Sequence, residues 1–455
     1  MATSPYIIKT DRNGIKKGGC IMGDKKRRIE FLSFYNFTAI EKHLSKMAQK
    51  GWLIESISSL YWTYRKIEPM KLHFSIKYCP AASEYDPKPA ESQQALVASC
   101  AQAGWTIACS WFQMQIFYTE LENPVPIETD PVAEVNTIHA ACKKNYLRGQ
   151  FLFLILGIWR LFATAINLWR DPITTLSDSS GLCVSFALLC LLVLSATELT
   201  AYFCWYHKAK KAAADGILSA TPNTAKFQAV LTTIELLGLF FWILQLLLSG
   251  DKISSFIAII TVPCVVGLLF FIFALKKWLK KANVSKTLNF IIAFVVTIIL
   301  LIIMMVLLVV ITLAVTEAGY LETDMAEPPL SLSELVVAED CETEQRIDQS
   351  LLLSDHIVNQ SEESLDYALW YRIVTVKVPF LYDHCKNYMY NNLTDTYIQQ
   401  DATPWGAKQV YCMYDADGDS MEAYLLCYED KIIEIYFNWP LTDEQTEIVA
   451  KTFSP

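Results

Sequence analysis

Asp383, His384 and Cys385 stand in a row, an acid, a base and a thiol of the kinds that arm a nucleophile. Consecutive residues on a helix point about 100° apart, so these three are not expected to bond to one another. Asp415, Asp417 and Asp419, with Gly418 among them, suggest a calcium loop. An EF-hand needs its glycine sixth and a glutamate twelfth, whereas here Gly418 is fourth and Leu426 twelfth, so a polar hairpin turn is expected. The 13 cysteines contain no CxxC pair, which argues against a zinc ribbon or a thioredoxin-like motif. Cys341, Cys385, Cys412 and Cys427 would permit two disulfides if their side is oxidising. The chain has no Walker loop, GxGxxG, HExxH or nucleophile elbow. His207, the one histidine near the end of an apolar run, has no evident partner. No catalytic residue, cofactor or metal ligand is therefore assigned.

Arg160, Glu198 and Glu235 interrupt long apolar runs. Ionisable groups there are costly and usually face a partner or a cavity. At about 1.5 Å per residue, the two glutamates should lie at similar depth and Arg160 somewhat deeper. One reading is a polar cluster that couples helix positions or lines a path, and the other is a static salt bridge that fixes helix packing. An ion relay would need more polar lining than these runs carry.

The elements that hold these residues are five runs long enough to cross a bilayer, near 148–169, 182–206, 227–249, 254–275 and 289–315. Residues 249–252 should form a tight connection between the third and fourth, and Pro263 should kink the fourth. One set of alternate loops carries Lys143, Lys144, Arg148, Lys208, Lys210, Lys211 and Lys226, and also Lys276, Lys277, Lys280, Lys281 and Lys286. The other set carries only Arg170 and Lys252. That bias implies an inside N-terminus and, after five crossings, an outside C-terminus. Trp169, Trp205, Tyr206 and Trp278 fall where interfacial anchors belong. The net charge of -9 hides the same asymmetry: residues 1–315 carry 31 basic and 20 acidic side chains, residues 316–455 carry 7 and 27. An acidic outer domain is soluble and is repelled by anionic lipid.

Residues 1–27 are expected to be a disordered N-terminal extension, with Met22 a more natural start. Residues 28–140 contain a duplication. Met47-Ala-Gln-Lys-Gly-Trp52 returns as Cys100-Ala-Gln-Ala-Gly-Trp105, 53 residues on. Each copy closes a helical stretch (39–50 and 91–103), with Gly51 or Gly104 at the left-handed cap and Trp52 or Trp105 opening strand-like sequence. Tyr64 and Phe117 each lie thirteen residues after the glycine. Further strands are expected at 29–35 and 71–79, giving an α+β domain of one antiparallel sheet with two helices on one face. The two tryptophans are expected as core anchors. The other reading is an aromatic pocket between the repeats, lined by Trp62, Trp111 and Tyr64.

Phe31-Leu-Ser-Phe-Tyr35, the Met47–Trp52 segment, Tyr61-Trp-Thr-Tyr64 with Glu68-Pro69, and Ala103-Gly-Trp105 with the Thr129-Asp130-Pro131 exit together resemble the DUF2812 family (domain of unknown function 2812). The resemblance covers about 110 residues. It implies a bacterial membrane protein with helices after the domain, of a kind often encoded beside a PadR-like repressor. The family has no established activity, so no catalytic residues carry over.

Beyond an acidic linker at 316–340, residues 341–455 read as a second α+β module. The pattern predicts helices at 342–353 and 379–391 and strands at 367–378, 408–414, 421–428 and 431–437. A last helix over 442–452 opens on a capping box of Thr442 and Gln445. The expected whole is a multi-domain protein: a cytoplasmic α+β domain (28–140), a five-helix transmembrane bundle (141–315), and an extracytoplasmic α+β domain (341–455). Its expected setting is the bacterial plasma membrane, and its expected role is non-enzymatic sensing, signalling or interaction. The lipid bilayer is one partner; a cytoplasmic protein or small ligand at the N-terminal domain is the other, and no nucleic acid is expected. The alternative is a transporter or an accessory subunit of one, which would call for more polar or glycine-interrupted helices around a midplane site.

Overall fold

A computed structural model describes residues 24–454 apart from 59–60, 84, 87, 128–129, 249–251, 283–284, 319–326, 338–340, 363–365, 392–395 and 415–419. Residues 1–23 of the extension expected over 1–27, the connection at 249–251 and the acidic turn at 415–419 lie outside the described residues, while Lys25–Arg27 of that extension belong to a strand. The chain divides into two compact units. One is Met1–Glu84, Pro89–Lys144 and Cys204–Asn223; the other is Tyr85–Lys88, Asn145–Phe203 and Thr224–Pro455.

The first unit is α+β. Its elements are β1 (Lys25–Arg28), α1 (Phe37–Gln49), β2 (Trp52–Ile57), β3 (Trp62–Lys66), β4 (His73–Tyr78), α2 (Glu91–Gln102), β5 (Thr106–Trp111), β6 (Met114–Thr119) and α3 (Pro131–Lys144). The strands form two antiparallel three-stranded sheets, β1-β3-β2 and β4-β6-β5, where one sheet was expected. The duplicated unit is thus a whole β-α-β-β motif, and β2 runs beside β5 without sharing a ladder. Residues 29–35, expected as a strand, are irregular, and the edge strand falls earlier on the basic run Lys25–Arg28. Pairing with β3, from Lys25↔Arg65 to Arg28↔Trp62, outweighs the poor strand propensity of those residues. Helix α1 buries Phe37, Ile40, Leu44, Met47 and Ala48, an apolar stripe at helical spacing. The amphipathic α3, unforeseen, buries Val135, Ile138, Ala141 and Cys142.

The second unit holds most of the long apolar helices: α4 (Tyr146–Arg170), α6 (Ser179–Ala214, whose last turns belong to the first unit), α7 (Ala225–Leu248), α8 (Lys252–Lys281) and α9 (Lys286–Glu317). Each is long and apolar enough to cross a membrane. Between α4 and α6 lies a short helix, α5 (Pro172–Ser177), capped by the Asp171 carboxylate, which accepts the Thr174 N–H at 3.0 Å. Pro263 sits within α8. Gly157 of α4 has no room for a side chain, since a Cβ there would come within 2.6 Å of Leu192 Cβ on α6.

The C-terminal part is β-rich. It comprises α10 (Leu332–Leu335), β7 (Cys341–Gln349), β8 (Leu353–Glu362), β9 (Ala368–Val376), α11 (Tyr382–Asn391), β10 (Thr396–Gln400), β11 (Gln409–Tyr414), β12 (Ser420–Cys427), β13 (Lys431–Phe437) and α12 (Asp443–Phe453). The strands form one antiparallel sheet ordered β10-β11-β12-β13-β9-β8-β7. Side chains alternate across it. Leu369, Tyr371, Ile433 and Phe437 face α10 and α12, whereas Val374, Val376, Leu425 and Ile432 face α11 and α5. The helix expected at 342–353 is instead β7 and the start of β8. Residues 342–349 are rich in helix formers, but the Cys341↔Glu362 to Gln349↔Ser354 ladder decides the conformation. The capping box of Thr442 and Gln445 is present at α12.

Candidate functional site

The repeat anchors stand where the duplication placed them, in unequal surroundings. Gly51 and Gly104 both have φ +81, the left-handed value that closes a helix. A Cβ at Gly51 would meet the Ile67 carbonyl at 2.9 Å; at Gly104 it would meet only the end of the Leu121 side chain, at 3.0 Å. Trp105 is buried against Cys100 and Phe117, and its indole N–H donates to Val125 O at 2.8 Å. Trp52 is half-buried, with the Lys26 ammonium 5.3 Å from its ring centre.

The two copies differ most in what lies between helix and hairpin. Fifty-three residues separate His43 from Leu96 and Tyr64 from Phe117. In the second copy these positions are apolar and fill its core. In the first copy His43 Nε2 lies 3.1 Å from Glu30 Oε1 and 3.2 Å from the Tyr64 hydroxyl, which also donates to Glu30 at 3.3 Å. Arg28 Nε approaches the same carboxylate oxygen at 3.3 Å. Burial raises the Glu30 pKa, but His43, Arg28 and Tyr64 outweigh it and hold the carboxyl below its ordinary value. Nothing in the local pattern marks this network, because Glu30 lies in a loop, His43 on α1 and Tyr64 on β3. On the same helix, burial pushes Glu41 up to about 7, although its Oε1 accepts the Ile76 N–H at 2.8 Å.

The first unit also grips the end of α6 and the loop after it. Asn36 caps α1 by accepting the Ala39 N–H at 3.2 Å, and its side chain also donates to Pro222 O at 2.7 Å. Thr221 bonds to Asn36 through its hydroxyl and to Thr38 through its N–H. Trp205 is buried beside Tyr35 and Phe37, and Tyr206 stacks on His139 at 4.2 Å. Both aromatics, expected as lipid anchors, are packed by protein. Trp169 and Trp278 are exposed.

The polar residues of the long apolar helices fall at three levels along α6. Glu198 is buried and accepts hydrogen bonds from the Tyr146 hydroxyl (2.6 Å) and Gln228 Nε2 (2.7 Å), joining α4, α6 and α7. Glu235 lies seven residues beyond Gln228 on α7, about 10 Å of helix from the level of Glu198. Arg160 donates from Nε to Ser185 Oγ at 3.1 Å and from Nη2 to Gly181 O at 2.9 Å. Some 13 residues, or about 20 Å of helix, separate Ser185 from Glu198. Arg160 and the two glutamates are therefore spread along the helices, and the glutamates do not share the depth expected of them.

In the C-terminal part the segment between α4 and α6 is built into the sheet. Ile173 and Leu176 of α5 are buried with Leu353, Val374, Cys385 and Met389, and Ser350 Oγ donates to Leu176 O at 2.5 Å. On the same sheet Arg372 makes a paired contact with Asp355, both bonds at 2.7 Å. Burial opposes the Arg372 charge, but Asp355 and the fields of Asp171 and Glu434 outweigh it and raise its pKa. Cys385 is buried, with its thiol pushed up to about 11, while His384 is exposed, so the two do not meet. All twelve described cysteines are free, and among the described residues no three His, Cys, Asp or Glu side chains gather as a metal site requires.

Compared with known proteins, residues 36–148 match the family DUF2812, described as a protein of unknown function. No curated protein and no solved structure matches the chain.

Proposed function

We propose, from a DUF2812 domain at residues 36–148 and five helices long and apolar enough to span a membrane, that this is a non-enzymatic signalling or interaction protein of the bacterial plasma membrane. The N-terminal module faces the cytoplasm and meets a protein partner or a small ligand there, and the C-terminal module faces outward. One observation carries this reading. Helix α6 begins directly after a segment buried in the C-terminal core, and it ends in turns that belong to the N-terminal module. A change in how the outer sheet holds α5 would move the helix whose far end Tyr35, Phe37 and His139 contact. The loop charges support the sidedness. The loop enclosed by the C-terminal sheet carries a single basic residue, Arg170, whereas the end of α6 carries Lys208, Lys210 and Lys211.

The test is hydrogen exchange on the full-length protein in lipid nanodiscs, comparing wild type with Ile173→Asp. The substitution buries a charge in the outer core. Faster exchange around 36–40 and 217–223 is the expected outcome. Exchange altered only between 330 and 455 would sink the signalling reading.

A further inference from the structure

Where α4 ends and α6 begins, α5 helps to enclose a polar cavity of about 140 Å³. A cavity of about 150 Å³ holds a benzene-sized guest, so this one admits a group of a few heavy atoms. Helix α4 lines it with Arg160, Thr164 and Asn167, and α5 with Thr174 and Thr175. The Arg160 guanidinium is fixed by its bonds to Gly181 O and Ser185 Oγ, which use two of the five N–H groups such a side chain offers. Ser185 in turn meets the Thr164 hydroxyl at 3.1 Å, so the wall is organised before any guest arrives. Asp178 adds the single negative charge of the lining, one oxygen accepting the Gly181 N–H at 2.9 Å.

We propose that this cavity binds a small zwitterionic group, its oxyanion on Arg160 and its ammonium by Asp178. A bare anion of this size would meet the Asp178 carboxylate, and a bare cation would meet Arg160. Only a guest with both charges is matched at each end, and the hydroxyl and amide groups suit its remaining lone pairs and protons. Two sources share this chemistry, a free α-amino acid and the phosphate–ammonium headgroup of phosphatidylethanolamine. The site stands on the cavity alone and does not depend on the signalling reading.

The test uses full-length protein in nanodiscs. One arm titrates glycine and L-serine against acetate and ethylamine and reads the thermal unfolding midpoint. The other compares retention of phosphatidylethanolamine and phosphatidylglycerol by native mass spectrometry. The expected result is preference of about tenfold or more for the doubly charged guest in one arm. It should be lost in R160Q and in D178N, the latter keeping a side chain that still caps α6. A response to amino acids assigns a soluble ligand, and selective retention of phosphatidylethanolamine assigns a lipid. Acetate or phosphatidylglycerol binding equally well, or undiminished preference in D178N, would overturn the proposal.

Discussion

Glu41 shows how one side chain sets a pH response. Its carboxyl is pushed up to about 7 by burial, above the ordinary 4.5. The folded state therefore holds a proton that the unfolded chain releases near pH 4.5, and stability falls as pH rises from there through about 7. Melting of the N-terminal module should occur at lower temperature at pH 7.5 than at pH 5, and Glu41→Gln should flatten that dependence; an unchanged slope in the variant would remove Glu41 as its source. The paired glycines make a second comparison. Gly51→Ala forces a side chain into the left-handed region, at about 1–2 kcal/mol, and against a backbone carbonyl. Gly104→Ala incurs the first cost but meets only a movable leucine tip, so it should lower the unfolding midpoint less. Both glycines were legible in the sequence, because a repeated helix end writes its cap in residues four or five apart. The Glu30–His43–Tyr64 network was not legible, because its members meet only through tertiary folding.

At the scale of elements, apolar length was the most readable signal. All five long helices lie where long hydrophobic runs demanded them. The strands from 408 to 437 were equally plain, since short polar stretches of sequence separate three apolar and aromatic runs. Elements governed by a neighbour were hidden. β7 is nearly all polar and exists because β8 offers it a ladder, and its charged, exposed side chains guard the edge of the sheet. Helix α5 has only six residues and no periodicity to detect, yet it fills part of the C-terminal core. The contact of α4 with α6 depends on Gly157. Gly157→Leu should force the helices apart and lower the unfolding midpoint by several degrees. Gly149→Ala, with nothing within 4 Å of the new methyl, should leave it nearly unchanged. Equal effects would mean that helix propensity, and not close approach, governs both sites.

For the molecule as a whole, the proposed sidedness is open to direct labelling. Most native cysteines of the C-terminal sheet are buried and make poor reporters. Val337, 98% exposed, and Ile29, 68% exposed, are better sites for new thiols. In intact bacteria a membrane-impermeant maleimide should label Val337→Cys, and should label Ile29→Cys only after permeabilisation. Equal labelling of both would place the two modules on one side and end the two-sided reading. The charge break near residue 316 and the biased loops carried this expectation in the sequence.

The burial of α5 in the C-terminal sheet also dictates a timetable for biosynthesis. Ile173 leaves the ribosome about 180 residues before Leu353, the sheet residue it is buried with. At about 5–20 residues per second, that leaves some 10–40 seconds in which Ile173 and Leu176 have been made and the sheet that buries them has not. A ribosome stalled or a message truncated within that interval would leave Ile173 and Leu176 without the residues that cover them, and quality-control proteases would meet an orphaned half-core.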